Sequence, residues 1–285
     1  MNLPKLPDFY IDNIIKTALA EDINYIDVTT DLLIDESVQG TAELIAKSNG
    51  ILSGITIAQR VFTMLDNNTK TTVFFKDGEK INNGDIIAKI SGSSASMLKA
   101  ERTALNILQH MSGIATYTHE CVKAVSSTNA RITDTRKTLP GLRALQKYAV
   151  LCGGGSNHRY NLSSAALIKD NHIDAYGSIT KAVETLRERA GHTIMIEVEV
   201  RNFDELNEAI QAKADIIMLD NMDYKAMTVG ANCVRPLNPR PLLEASGNIT
   251  LNNIREVAET GIDIISLGAL THSVKAFDIS MKWVK

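Results

Sequence analysis

The chain has 285 residues, 44% of them hydrophobic and 22% charged, and its 30 Lys and Arg against 33 Asp and Glu leave a formal net charge of −3. That composition can bury a full core, and it excludes both a disordered polyelectrolyte and a surface-wide cationic field for nucleic acid. The length fits one α/β barrel or two smaller domains.

Residues 8–20 place Tyr10, Ile14, Ile15 and Leu19 at helical spacing and predict an amphipathic helix. From 40 to 92 the texture is β. Apolar runs at 41–46, 51–55, 72–75 and 86–90 are parted by the turn signals Asn49-Gly50, Lys76-Asp77-Gly78 and Asn82-Asn83-Gly84-Asp85. From Ala95 to about Ser126 a stripe through Leu98, Leu105, Leu108, Met111, Ala115, Val122 and Val125 predicts one long helix, with a break near Ser112-Gly113.

Beyond Ala130, apolar runs at Ile132 and over 166–168, 194–200, 216–219, 242–245 and 262–267 alternate with amphipathic segments. Ser178, Asn202 (with Glu205 three residues on, as in a capping box) and Thr250 mark helix starts. Such alternation builds βα units with parallel strands. Six strands are too few for an eight-unit barrel, which leaves a reduced barrel or an open doubly wound sheet. No G-x-G-x-x-G follows the first strand to support a dinucleotide fold.

One asymmetry stands inside the balanced charge. Residues 136–169 carry Arg136, Lys137, Arg143, Lys147, Arg159 and Lys169 and no acid, leaving 24 bases against 33 acids elsewhere. A local cationic segment in an acidic protein suits an anionic ligand held at one place, the alternative being a solvated basic helix face. Cys121, Cys152 and Cys233 lack C-x-x-C spacing, so no zinc or disulfide framework is implied and each reads as a small buried hydrophobe. Their odd number, with no apolar leader-like run at the start, points to a reducing cytoplasm. No apolar stretch approaches the about 20 residues that a membrane span requires.

In an α/β barrel the C-terminal ends of the strands converge on one mouth. The residues closing the apolar runs are Asp134-Thr135-Arg136-Lys137, Lys169-Asp170-Asn171-His172, Glu197-Val198-Glu199, Asp220-Asn221, Glu244-Ala245-Ser246-Gly247 and Gly268. Ser246-Gly247, ahead of the helix expected at Thr250, and Gly268-Ala269-Leu270, ahead of an expected C-terminal helix, read as paired βα turns whose backbone N–H groups suit a phosphate. Ordinary βα turns are the alternative. Glu199 and Asp220 enter the mouth if Glu197 and Glu199 point inward, and carboxylates there can hold Mg2+ or sugar hydroxyls. A salt-bridge network with Lys169 and Lys137 is the competing reading. Gly153-Gly154-Gly155 reads as a flexible loop leading to His158-Arg159, adjacent donors suited to a carboxylate.

Taken together, the strings Glu101-Arg102-Thr103-Ala104-Leu105-Asn106, Thr135-Arg136-Lys137-Thr138, Gly153-Gly154-Gly155 with His158-Arg159, 167–172, 197–200, 219–222 and 244–247, with Glu21-Asp22 and 27–30 near the start, resemble the quinolinate phosphoribosyltransferases. The resemblance implies an α/β fold: an N-terminal α/β sandwich domain over 1–115, and an incomplete, open α/β barrel of parallel strands over 116–285, the C-terminal helix being a candidate addition to the first domain. It implies a pentosyltransferase that moves phosphoribosyl from phosphoribosyl pyrophosphate to quinolinate with decarboxylation, for NAD biosynthesis.

By the same resemblance Arg102, Arg136, His158 and Arg159 grip the quinolinate carboxylates, with Arg102 supplied by the neighbouring subunit of a homodimer, itself open to further assembly. Lys137, Lys169, Glu199 and Asp220 are the catalytic set. Thr135, Ser246, Gly247, Asn248, Gly268, Ala269, Leu270 and His272 join these four around the sugar donor, and Mg2+ meets Glu199 and Asp220 directly or through substrate. Asn248 stands where the family commonly has a second glycine, which Asn, tolerant of left-handed backbone, can replace. Competing readings are a homologous phosphoribosyltransferase with another acceptor, a Schiff-base aldolase using Lys169, and a lipoyl-type carrier module over 76–92, which lacks the exposed hairpin lysine.

Overall fold

The computed structural model describes residues 3–35 and 37–284. Its chain divides into two compact units, 1–119 with 138–154 and 270–285, and 120–137 with 155–269. Two later segments, 138–154 and 270–285, thus belong with the N-terminal part of the chain.

The first unit holds α1 (Asp8–Asp22), α2 (Thr30–Leu33), β1 (Gln39–Ala46), β2 (Gly50–Ile51), α3 (Ile55–Leu65), β3 (Lys70–Val73), β4 (Lys80–Ile81), β5 (Ile86–Ser93) and most of α4 (Ser94–Ala124). The antiparallel sheet runs β12-β1-β5-β3, where β12 is Ile279–Trp283. Three sequence expectations are corrected here. First, the run after Ile51 does not continue as a strand but turns into α3, whose Ile57, Ala58, Val61 and Phe62 are buried. Its start is fixed from a distance: the Asp77 carboxylate accepts the Gly54 and Ile55 N–H groups at 2.8 and 3.0 Å and the Tyr148 hydroxyl at 2.9 Å. Burial pushes the Asp77 pKa upward despite those bonds.

Second, α4 is continuous over 31 residues with no break at Ser112-Gly113. Ser112 Oγ accepts the Ser53 N–H at 3.0 Å and donates to the Ser53 carbonyl at 3.2 Å, while a Cβ on Gly113 would collide with the Lys275 carbonyl. The glycine therefore serves close packing. Third, the expected C-terminal helix is a single turn, α11 (Ala269–His272), and the tail then forms β12. Ile279 and Met281 are buried opposite Ala46 and Leu44 of β1, an alternation that only a strand provides.

The second unit is a parallel sheet in the order β6-β11-β10-β9-β8-β7. Its strands are β6 (Arg131–Thr133), β7 (Ala166–Ile168), β8 (Ile196–Val200), β9 (Ile216–Asp220), β10 (Leu242–Ser246) and β11 (Ile264–Ser266). From β7 each strand neighbours the next in sequence, and the last pairs with β6, which is the circular order of a barrel rather than the reversal of a doubly wound sheet. The barrel is open between β6 and β7. Among the described residues a single parallel bridge, Thr133 to Ser156, stands there, a stub in place of a strand.

α6 (Asp170–Tyr176), α7 (Ile179–Arg189), α8 (Phe203–Gln211), α9 (Tyr224–Val234) and α10 (Ile254–Glu259) complete this unit, whereas α5 (Arg143–Cys152) belongs to the first. Ser178 caps α7 through its Oγ and the Lys181 N–H at 3.2 Å. Asn202 caps α8, but the Glu205 carboxylate turns to the Arg201 N–H at 2.7 Å, so the expected capping box is half-formed. Thr250 caps nothing: Asn253 Oδ1 takes its N–H at 2.7 Å in a turn, and α10 begins at Ile254.

Candidate active site

Alternation along β8, β9 and β10 turns Glu197 and Glu199, Met218 and Asp220, and Glu244 and Ser246 to one face of the sheet. Glu197, Met218 and Glu244 are buried, and Glu199, Asp220 and Ser246, two residues onward on each strand, are partly exposed. A cavity of about 640 Å³ opens over them.

Its cations come from the early strand ends. Arg136 and Lys137 follow β6, with the Lys137 N–H held by Thr135 Oγ1 at 3.0 Å, and Lys169 follows β7. Arg159 donates to the Ala165 carbonyl at 2.9 Å, and its pKa is lowered first by burial and then by the charge of Arg136. Two guanidinium groups whose charges act on one another in one cavity are relieved by an anion. Lys169 Nζ makes an ion pair with Glu199 Oε2 at 2.8 Å, so this part of the competing salt-bridge reading is present alongside the cavity. Of the six bases in the cationic segment, Arg136, Lys137, Arg159 and Lys169 line this cavity, while Arg143 and Lys147 sit on α5 in the other unit.

Opposite them, Ser246, Gly247 and Asn248 form a tight turn tied to Asn221, whose Oδ1 accepts the Asn248 amide at 3.0 Å. Gly247 has φ 93° and a Cβ there would meet the Asn221 side chain; Asn248 takes φ 52°, the left-handed geometry expected of it. Asn221 also donates to Asp220 Oδ2 at 2.8 Å and orients that carboxylate. The turn precedes the loop 250–253 rather than a helix start, so its donors are loop amides. Gly268 and Ala269 lie past β11 in this unit, outside the cavity lining. Arg102, exposed on α4, buried Leu270 and exposed His272 belong to the first unit.

The floor of the cavity holds three acids to which the sequence pattern assigned no role: Asp134, Glu197 and Glu244. Asp134, fully buried, accepts the His158 N–H at 2.9 Å and the Asn157 amide at 2.6 Å, anchoring the loop after the glycines to the end of β6. His158 Nδ1 accepts the Arg159 N–H at 2.8 Å, which leaves the ring proton on Nε2, 3.1 Å from Glu197 Oε2 and 3.6 Å from Glu244 Oε1. Both carboxylates are buried, at 2% and 1% exposure. The available signal was an acid inside, rather than after, the apolar run of a central parallel strand, as Glu197 and Glu244 both are.

Among the described residues no helix is long and apolar enough to cross a membrane. Cys121 and Cys152 are buried, but Cys233 is exposed on α9, against the expectation that all three are core residues. Burial pushes the Cys152 thiol up to about 12.

The chain is similar over most of its length to known proteins. Residues 27–112 match the model of the quinolinate phosphoribosyl transferase N-terminal domain and 114–282 that of the C-terminal domain. A probable nicotinate-nucleotide pyrophosphorylase [carboxylating] of Bacillus subtilis is 46% identical over 261 residues, covering 92% of this chain and 89% of that protein. One of Synechocystis is 42% identical, covering 98% and 94%. The crystal structure of NadC from Streptococcus pyogenes superposes with a TM-score of 0.94 at 42% identity, covering 99% of this chain and all of that one. With both domains matched in order across nearly its full length, the chain belongs to the quinolinate phosphoribosyltransferase family.

Proposed function

We propose that the barrel mouth transfers the phosphoribosyl group of phosphoribosyl pyrophosphate to the ring nitrogen of quinolinate with loss of the 2-carboxylate as CO2, giving nicotinate mononucleotide and pyrophosphate for NAD biosynthesis. The observation that carries this reading is the convergence of Arg136, Lys137, Arg159 and Lys169 on one cavity that also presents Glu199, Asp220 and the Ser246-Gly247-Asn248 turn. A pyridine dicarboxylate and a polyanionic sugar donor need several fixed cations, with Arg suited to carboxylates and Lys to phosphate oxygens.

Arg136 and Arg159 hold quinolinate, and the turn holds the 5′-phosphate. As pyrophosphate departs, positive charge develops on the ribose, where Glu199 and Asp220 stabilise it while Lys137 and Lys169 stabilise the leaving group. His158 has both ring nitrogens engaged in the protein, so it supports the quinolinate pocket through Arg159 and the floor. Glu199 and Asp220 are hard oxygen donors that fit Mg2+ through the substrate's own oxygens, since Glu199 already carries Lys169. When bound, Mg2+ supplies charge neutralisation at the pyrophosphate. The same ion pair engages the Lys169 side chain with Glu199, which disfavours the Schiff-base reading.

We place the enzyme in the cytoplasm, where an exposed free Cys233 stays reduced, and assign Arg102 to the site of a second copy in a homodimer. Mixing inactive Arg102→Ala and Lys137→Ala proteins under subunit exchange then restores activity, and no recovery after verified exchange excludes the assignment. Turnover of quinolinate, and not of nicotinate, with phosphoribosyl pyrophosphate tests the reaction itself.

A further inference from the structure

Decarboxylation creates a demand that none of the roles above meets. When the C2–carboxylate bond breaks, its electron pair stays on C2, CO2 leaves, and C2 must gain a proton. Guanidinium groups do not release one, Lys169 is bound to Glu199, and Lys137 is assigned to the leaving pyrophosphate.

Resting on the reaction proposed above, we infer that Glu244 stands as a neutral carboxylic acid on the barrel floor and gives its proton to C2 as CO2 departs. The O–H bond of Glu244 breaks, the C2–H bond forms, and the Glu244 carboxylate regains a proton from water after product leaves.

The geometry supports this in three ways. Glu197 on β8 and Glu244 on β10 project into the barrel from alternate strands, and their oxygens and His158 Nε2 lie within 4.8 Å of one another. Two carboxylates that close and that dry share a proton. The single Nε2–H of His158 goes to Glu197, the nearer at 3.1 Å, leaving Glu244 Oε1 buried with no hydrogen-bond partner, so Glu244 is the one that stays protonated. Glu244 also lines the cavity, as Glu197 does not.

The groups facing Glu244 are Glu197, His158 and the hydroxyl of Ser266 on β11. Burial first, and then the charge of Glu197, raises its pKa to about 7, a value matched to proton transfer near neutrality.

The test uses the full-length protein with quinolinate, phosphoribosyl pyrophosphate and Mg2+, following pyrophosphate and CO2 separately in single turnovers across pH. Wild type releases both together, with a rate that falls as pH rises through the acid's titration. Glu244→Gln slows CO2 release on the order of a hundredfold, the scale of a lost general acid, and more than it slows pyrophosphate release; its alkaline limb disappears. Glu244→Asp, which keeps a carboxyl group, retains coupled release with a displaced limb, and carries the test if the Gln variant does not fold. Equal coupling and an unchanged limb in Glu244→Gln overturn the inference, as does uncoupled release in a folded Glu244→Asp. So does stoichiometric metal in purified wild type that the Gln variant lacks, because Glu244 would then be an ionised ligand beside Glu197 and His158. A wild type that releases neither product from quinolinate refutes the reaction assignment instead.

Discussion

Replacing Glu244 by Gln is expected to stabilise the fold at alkaline pH. The carboxyl rises from an ordinary 4.5 to about 7 in the folded chain because it is buried beside Glu197. At about 1.36 kcal/mol per pH unit, that difference corresponds to about 3 kcal/mol. The sign follows from proton binding: the folded state holds this proton more tightly, so its stabilising contribution is complete below pH 4.5 and is lost as pH rises through about 7. Glu244→Gln carries no charge at any pH and escapes the loss. Thermal unfolding of both ligand-free proteins at pH 5 and pH 8.5 measures the effect. The variant gains on wild type as pH rises, by about 3 kcal/mol in all, or on the order of 6–10 °C in Tm for a chain of this size. Parallel pH profiles for the two proteins refute a neutral Glu244 in the folded state.

Arg136→Ala raises the KM for quinolinate about tenfold to a hundredfold, the loss of a charge-assisted hydrogen bond, with a smaller effect on the sugar donor; Asp220→Ala does the reverse, and equal effects on both substrates contradict the division of the cavity. Asp77→Ala lowers stability by about 1–2 kcal/mol in urea unfolding through loss of the α3 cap, and an unchanged midpoint shows that the cap contributes nothing.

How far the sequence revealed the molecule depended on whether a feature was local. The six parallel strands, α1 and the Ser178 and Asn202 caps follow from periodicity and short-range hydrogen bonds, and they stand where the patterns put them. The run 51–55 reads as a strand although its last residue opens α3, because the carboxylate that starts the helix lies 22 residues downstream. β12 reads as part of a helical tail because its partner is β1, at the other end of the chain.

The site divided in the same way. Arg136, Lys137, Lys169, Glu199, Asp220 and Ser246 close their strands and so meet at one mouth. Arg102 and His272 do not follow from that logic, since they lie in the other unit. The role of Glu244 is not legible locally, because it reads as one letter of a Glu-Ala-Ser-Gly string until β8 and β10 place it beside Glu197.

The most direct test of the account is the fate of the 2-carboxylate. With quinolinate labelled at that carbon, phosphoribosyl pyrophosphate and Mg2+, the enzyme is predicted to release one labelled CO2 for each pyrophosphate and to leave an unlabelled nicotinate mononucleotide. Label retained in the nucleotide, or turnover of nicotinate with none of quinolinate, contradicts it.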